Sequence, residues 1–174
     1  MLQKLDRFEE AEQCYKKAIV LKPDYTEAHN NLGVTFKELG RLNEAETSYL
    51  QAIALNSDYS EAHFNLGVTL QKKRKLKRAE ETFTQVIALN PNYAEAYNNL
   101  VVALKSQGKL EEAIQVCKKA LIIKPNYAEA YFNIATIRQE QGKIEDTINA
   151  YSKALSINPD YTGFPGEGRS RFAN

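Results

Sequence analysis

Tryptophan is absent from this sequence, and cysteine is nearly so, with two residues among 174. Cys14 and Cys117 lie 103 positions apart, and no second thiol or histidine sits at metal-ligand spacing from either. That excludes a disulfide framework and a thiolate metal centre, and leaves reduced packing residues of a cytoplasmic chain as the expectation. Charge of one sign is also lacking: 23 basic residues face 22 acidic ones, for a formal net charge of +1. Nothing in that balance draws the whole chain toward nucleic acid or an anionic membrane. No apolar run approaches the roughly 20 residues that cross a bilayer. Met1 to Glu10 mix charged and apolar groups, which does not read as a secretion signal. Histidine is limited to His29 and His63, and the serines, cysteines and carboxylates form no nucleophile–base–orienter set. No glycine-rich phosphate loop follows a strand. The expectation is a protein without catalytic residues, metal or cofactor.

What the sequence has is repetition. Pro23-Asp24-Tyr25, Ser57-Asp58-Tyr59, Pro91-Asn92-Tyr93, Pro125-Asn126-Tyr127 and Pro159-Asp160-Tyr161 follow one another at intervals of 34 residues. Within the unit 26–59, Ala28, Leu32, Thr35, Phe36 and Leu39 form one stripe at helical spacing. Leu42, Ala45, Tyr49, Ala52, Ile53 and Leu55 form a second. Between the stripes stands Gly40, matched by Gly108 and Gly142, where a left-handed residue ends a helix at little cost. Arg74 occupies this place in the unit 60–93, which predicts a less stable turn there. Pro23, Pro91, Pro125 and Pro159 close their second helices, with Ser57 at the same place in the unit 26–59. Asp24, Asp58, Asn92 and Asn126 are expected N-caps, with Glu27, Glu61, Glu95 and Glu129 three residues on completing capping boxes. Each unit is therefore an antiparallel pair of helices that needs its neighbours to bury its apolar faces.

The 34-residue unit, the pairs Leu32-Gly33 and Leu66-Gly67, the small residues Ala45, Ala79 and Ala113, the aromatics Tyr49, Phe83 and Tyr151, and the closing prolines resemble the tetratricopeptide repeat. The fourth position departs from the pattern, with His29 and His63 beside Tyr97 and Tyr131; Val101 and Ala135 replace the glycine, and Thr147 the small alanine. The resemblance covers residues 1–161 and implies an all-α fold: an α-solenoid of antiparallel helix hairpins forming a right-handed superhelix. The expected organisation is a partial repeat over 1–25, full repeats over 26–59, 60–93, 94–127 and 128–161, and a disordered, glycine- and proline-rich tail over 162–174. In the partial repeat, Leu2 and Leu5 end a first helix, and Phe8, Ala11, Tyr15 and Ala18 lie on a second that Pro23 closes. No polar-faced closing helix follows, so the array is expected to belong to a longer one or to be covered by another chain.

The first helices carry the functional expectation. Asn31, Asn65, Asn99 and Asn133 hold the sixth position of four successive units, away from the core stripe. The resemblance implies that this side lines the concave groove. An asparagine offers a donor and an acceptor to a peptide group. With helices about 8–10 Å apart, one asparagine meets about every third residue of an extended chain. A similar ladder occurs in the repeat region of O-linked N-acetylglucosamine transferases, which implies a grip on extended peptides here. The competing reading is a polar residue copied by repeat duplication. Beside the ladder stand Asn30, Phe64, Asn98 and Phe132 at the fifth position, Val34, Val68 and Val102 at the ninth, and Lys37 and Lys105, alternating with Gln71 and Gln139, at the twelfth. Phe64 and Phe132 either face an apolar ligand or tuck against neighbouring units. The Glu27 row either favours basic ligands or caps helices. Tyr25 and its equivalents pack between units.

The resemblance also implies what is missing. Chaperone-tail clamps of this family present lysines, arginine and asparagines where this chain holds Glu27, Asn30 or Phe64, Val34 and Asn65. The cluster Lys72, Lys73, Arg74, Lys75, Lys77 and Arg78 is either a solvated turn or a docking point for an anionic partner. The expected partner is a protein or peptide in extended conformation, with neither nucleic acid nor membrane. The alternatives are the recruiting arm of a larger enzyme, such as a glycosyltransferase, and a scaffold that self-associates through uncapped ends.

Overall fold

The computed structural model describes residues 2–160, with side chains from residue 7 onward. Leu2, Leu5 and the expected tail over 162–174 therefore lie outside the described side chains and residues. The described chain holds nine helices: α1 (Leu2–Leu21), α2 (Thr26–Glu38), α3 (Leu42–Leu55), α4 (Ser60–Lys72), α5 (Leu76–Leu89), α6 (Ala94–Lys105), α7 (Leu110–Ile123), α8 (Ala128–Glu140) and α9 (Ile144–Ile157). Consecutive helices pack as hairpins, giving a helical solenoid.

Two local expectations are corrected. The expected helix break near Leu5 does not occur, because α1 runs unbroken from Leu2 to Leu21. Asp6 stands where the other units carry Gly40, Gly108 and Gly142, so no left-handed residue interrupts the helix. Nor do capping boxes form. Tyr25, Tyr59, Tyr93 and Tyr127 precede the first helices, and no side chain there bonds a helix amide. The inter-unit turn is closed instead from its other end. Asn56, Asn90 and Asn158 accept the amides of Asp58, Asn92 and Asp160 at 3.1–3.2 Å. His29 and His63 each donate Nε2–H to the carbonyl of Pro23 and Ser57 at 2.9 Å, and the Tyr97 hydroxyl donates to Pro91 at 3.1 Å. Imidazole and phenol thus perform one task at the fourth position, which explains why His29 and His63 stand where Tyr97 does.

The turns within hairpins follow the glycine expectation. Gly40, Gly108 and Gly142 have φ of 71–76° and Arg74 has 59°. Each is flanked by the paired bonds of a Schellman turn, Arg41 N–H to Phe36 C=O at 2.8 Å and Gly40 N–H to Lys37 C=O at 3.1 Å in the unit 26–59.

The core runs continuously through the units, with Phe36, Tyr49, Leu70, Phe83, Leu104, Ile114 and Ile137 among its buried members. Gly33 and Gly67 are there because the rings of Tyr49 and Phe83 press on them. A Cβ at either glycine would sit 2.6 Å from a ring carbon. Where Val101 replaces the glycine, Cys117 replaces the aromatic ring, and both are fully enclosed. Burial pushes the Cys117 thiol up to about 12.

Glutamates stitch one unit to the next. Glu12 bonds Arg41 at 2.6 Å, Glu46 accepts from Lys73, Lys75 and Arg78, and Glu80 accepts from Lys109 at 2.7 Å. Half of the exposed-looking basic cluster at 72–78 therefore converges on one enclosed carboxylate. Burial alone would raise the Glu46 pKa, but hydrogen bonds from Lys73, Arg78 and Lys75 outweigh it and hold the group at about 2.

Candidate peptide-binding groove

The curvature places the candidate site. The backbones of first helices come close to those of their successors, α2 with α4, α4 with α6 and α6 with α8. Those of α3, α5, α7 and α9 do not approach one another so closely among the described residues, and α3 meets α5 through the long side chains of Glu46 and Arg78. The layer of first helices is the more closely spaced one, so the array curves with that layer on its inner side. Positions two, six, nine and thirteen of a first helix lie one turn apart on a single face. In α2 that face carries Glu27, Asn31, Val34 and Glu38.

All four ladder asparagines are half-buried on this wall. Their hydrogen bonds differ. Asn65 donates Nδ2–H to Asn30 Oδ1 at 3.1 Å, and Asn133 donates to Asn98 Oδ1 at 2.6 Å. Asn99 donates to the Glu95 carbonyl one turn back at 2.8 Å. Asn31 is met only through its oxygen, by Asn30 Nδ2 at 3.5 Å. Asn30 itself is fully enclosed, and its amide also donates to Glu61 at 3.2 Å. It lies beneath the groove surface rather than on it.

The fifth-position rings are taken by neighbours. Phe64 stacks on Tyr93 at 4.8 Å between centroids and tilts against Phe83 at 5.9 Å. Phe132 meets the edge of Tyr151 at 5.2 Å. Of the two readings of these rings, packing describes what they touch. Val34 and Val68 rest partly buried on the core and Val102 is half-buried, so valines form the floor. Lys37 pairs with Glu38 at 3.5 Å, while Lys105 donates to Thr136 at 3.0 Å and pairs with Glu140 at 3.3 Å. These pairs offset both lysine charges inside the groove. Glu27 and Glu95, freed from capping, are exposed on the same face. Sequence reasoning missed Glu61 as the acceptor for Asn30; the signal was an asparagine at a core-facing position with a carboxylate 31 residues on.

Two shallow clefts of about 320 Å³ lie between helices elsewhere, and neither is lined by a ladder asparagine. Among the described residues, no helix is long and apolar enough to cross a membrane.

Models of the tetratricopeptide repeat match residues 64–128 and 128–161, and a TPR repeat model matches 2–40 and 35–73. Together they tile the solenoid just described. This chain is a tetratricopeptide-repeat protein. The crystal structure of MamA is similar to this tetratricopeptide-repeat protein at 28% identity and a TM-score of 0.84, covering 90% of this chain and 92% of that one. MamA 41-end from Desulfovibrio magneticus RS-1 is 21% identical with a TM-score of 0.82, covering 92% of each chain. YrrB, described as a TPR protein with an unusual peptide-binding site, is 24% identical with a TM-score of 0.77, covering 92% of this chain and 82% of its own. At these last two identities the likeness speaks for the fold alone. No curated protein sequence matches the chain. The tetratricopeptide-repeat assignment places the chain among protein-interaction modules.

Proposed function

We propose that this tetratricopeptide-repeat protein holds an extended peptide segment along the wall formed by α2, α4, α6 and α8. The observation that carries the reading is the row Asn31, Asn65, Asn99 and Asn133, half-buried on the inner layer of helices. An amide on each of four helices spaced by about 8–10 Å matches the repeat of an extended chain, whose residues advance about 3.3 Å each. Main-chain capture gives affinity that tolerates varied ligand sequences, while pockets and charges select side chains. Here the valine floor suits apolar side chains, and the exposed Glu27 and Glu95 favour basic ones. The lysines add little attraction for acidic ligands, because Glu38 and Glu140 already face them.

The test is a calorimetric titration with a peptide selected from a random dodecapeptide library on the wild-type chain. Changing Asn65 and Asn99 together to Ala is expected to weaken binding about tenfold or more, since a net hydrogen bond contributes about 0.5–1.5 kcal/mol. Undiminished affinity in that variant would remove the ladder from the mechanism.

A further inference from the structure

The fifth register position alternates Asn30, Phe64, Asn98, Phe132, and the hydrogen bonds of the ladder alternate with it. Asn65 reaches back to Asn30, and Asn133 reaches back to Asn98. The junction between these two cannot be made the same way. There the residue behind Asn99 is Phe64, a ring with no acceptor, already stacked on Tyr93. Asn99 instead bonds the Glu95 carbonyl of its own helix. In the unit 26–59, the Asn31 amide nitrogen meets no acceptor among the described residues.

We infer that the four ladder asparagines do two jobs in alternation: Asn65 and Asn133 pin one unit to the next, while Asn31 and Asn99 clasp the ligand backbone. The binding period is then two units, from position 31 to position 99, or 68 residues of sequence. This deepens the groove reading and rests on it.

The energetics separate Asn65 from Asn31 and Asn99. To meet a peptide group with both its N–H and its C=O, an asparagine must turn its amide plane along the ligand. When Asn65 turns, it leaves Asn30 Oδ1 without its donor in a side chain that is 0% exposed, and a buried acceptor left unmade is costly. When Asn99 turns, it gives up only the Glu95 carbonyl, which the helix itself satisfies. Asn31 gives up a single 3.5 Å contact. A ligand therefore engages Asn31 and Asn99 at the lower cost. Two units span about 16–20 Å at the usual helix spacing, which an extended chain covers in about five or six residues. The ligand is an extended segment of at least that length, with two main-chain groups clasped near its ends and the residues between resting on Val68 and its neighbours.

The library-selected peptide serves as the probe. Shortened one residue at a time, it should keep its affinity down to about six residues and lose it sharply below. Asn31→Ala and Asn99→Ala should each weaken binding about tenfold with little change in melting. Asn65→Ala and Asn133→Ala should weaken binding less than about threefold, and lower the melting temperature by about 2–4 °C. Combining Asn30→Ala with Asn65→Ala should lower melting by less than the sum of the single changes. Equal affinity losses from all four ladder variants would overturn the two-unit period while leaving the groove reading intact. Strictly additive melting of the Asn30 and Asn65 variants would overturn the pin. A library from which the wild-type chain retains no peptide would overturn the groove reading, and this inference with it.

Discussion

Gly67 and Phe83 form one object, as do Gly33 and Tyr49, and Val101 and Cys117 hold the same two register positions in the next unit. The ring at one position occupies the volume that a Cβ would need at the other, 2.6 Å from a ring carbon in the two glycine pairs. Close-packed interiors answer volume added at one site with strain at its neighbour. Gly67→Val is therefore expected to cost about 1–3 kcal/mol, because a rigid ring cannot fold aside. Phe83→Cys alone should cost more, near the about 3–5 kcal/mol of a truncated buried Phe, through the cavity it leaves. The double variant copies Val101 and Cys117 and should recover a large part of both losses. Thermal unfolding followed by circular dichroism checks this as a double-mutant cycle, and additive losses would show that the two sites do not share a volume. The individual letters of this compensation stand in the sequence. Their pairing does not, because it depends on which ring a helix presents to which backbone across the hairpin.

At the scale of elements, the hairpins are legible in the sequence, since apolar spacing, turn glycines and closing prolines each mark the same boundaries. The N-termini are not. Asp58 and Glu61 have the spelling of a capping box, yet Asp58 lies inside a turn closed by Asn56, and Glu61 accepts from Asn30 and Tyr59. Local spelling lost to a tertiary hydrogen bond that no one-dimensional pattern displays. The basic run at 72–78 misleads in the same way, because its meaning depends on Glu46 in the unit before. That carboxylate ties α3 to the α4–α5 hairpin, and removing it leaves three cations facing one another. Glu46→Gln should destabilise the chain at neutral pH by on the order of 1–3 kcal/mol, between an exposed ion pair and a buried one. The pH dependence follows from the depressed pKa. The folded group titrates at about 2 and the free carboxyl at 4.5, so its contribution is whole above 4.5 and fades as pH falls toward 2. Melting curves of both proteins should therefore draw together through that window. A gap that stays constant from neutral pH to pH 2 would show that the carboxylate charge contributes nothing.

Across the whole molecule, the stitching is uneven. The register of Glu12, Glu46 and Glu80 continues as Ile114 and Ile148, and that of Arg41, Lys75 and Lys109 continues as Lys143. The ion pair at this register therefore stops before the last hairpin. Among the described residues, the ion pairs that tie that hairpin back are the more exposed ones of Lys105 with Glu140 at 3.3 Å and Arg138 with Glu111 at 3.6 Å. Ile114 is covered by the unit that follows it, at 1% exposure, whereas Ile148 is 59% exposed and Ile144 74%. In a solenoid, each unit's stability is its own plus what its interfaces supply. Among the described residues the hairpin of α8 and α9 is packed on one side and lacks an enclosed glutamate, the Glu111 that meets Arg138 being exposed. The hairpin of α4 and α5 is packed on both sides, with Glu46 behind it and Glu80 ahead. Local opening should then be graded along the chain rather than uniform. Native-state hydrogen exchange is expected to show α9 amides exchanging fastest, α8 next, and α4 and α5 among the slowest. The ordering bears on binding, because Asn133 sits on α8 while Asn65 and Asn99 sit on α4 and α6. A ligand clasped between Asn31 and Asn99 rests on the protected part of the wall. It should slow exchange in α2, α4 and α6 and leave α9 nearly unchanged. Uniform protection through α9 in the free protein would show that the lack of an enclosed glutamate there carries no weight.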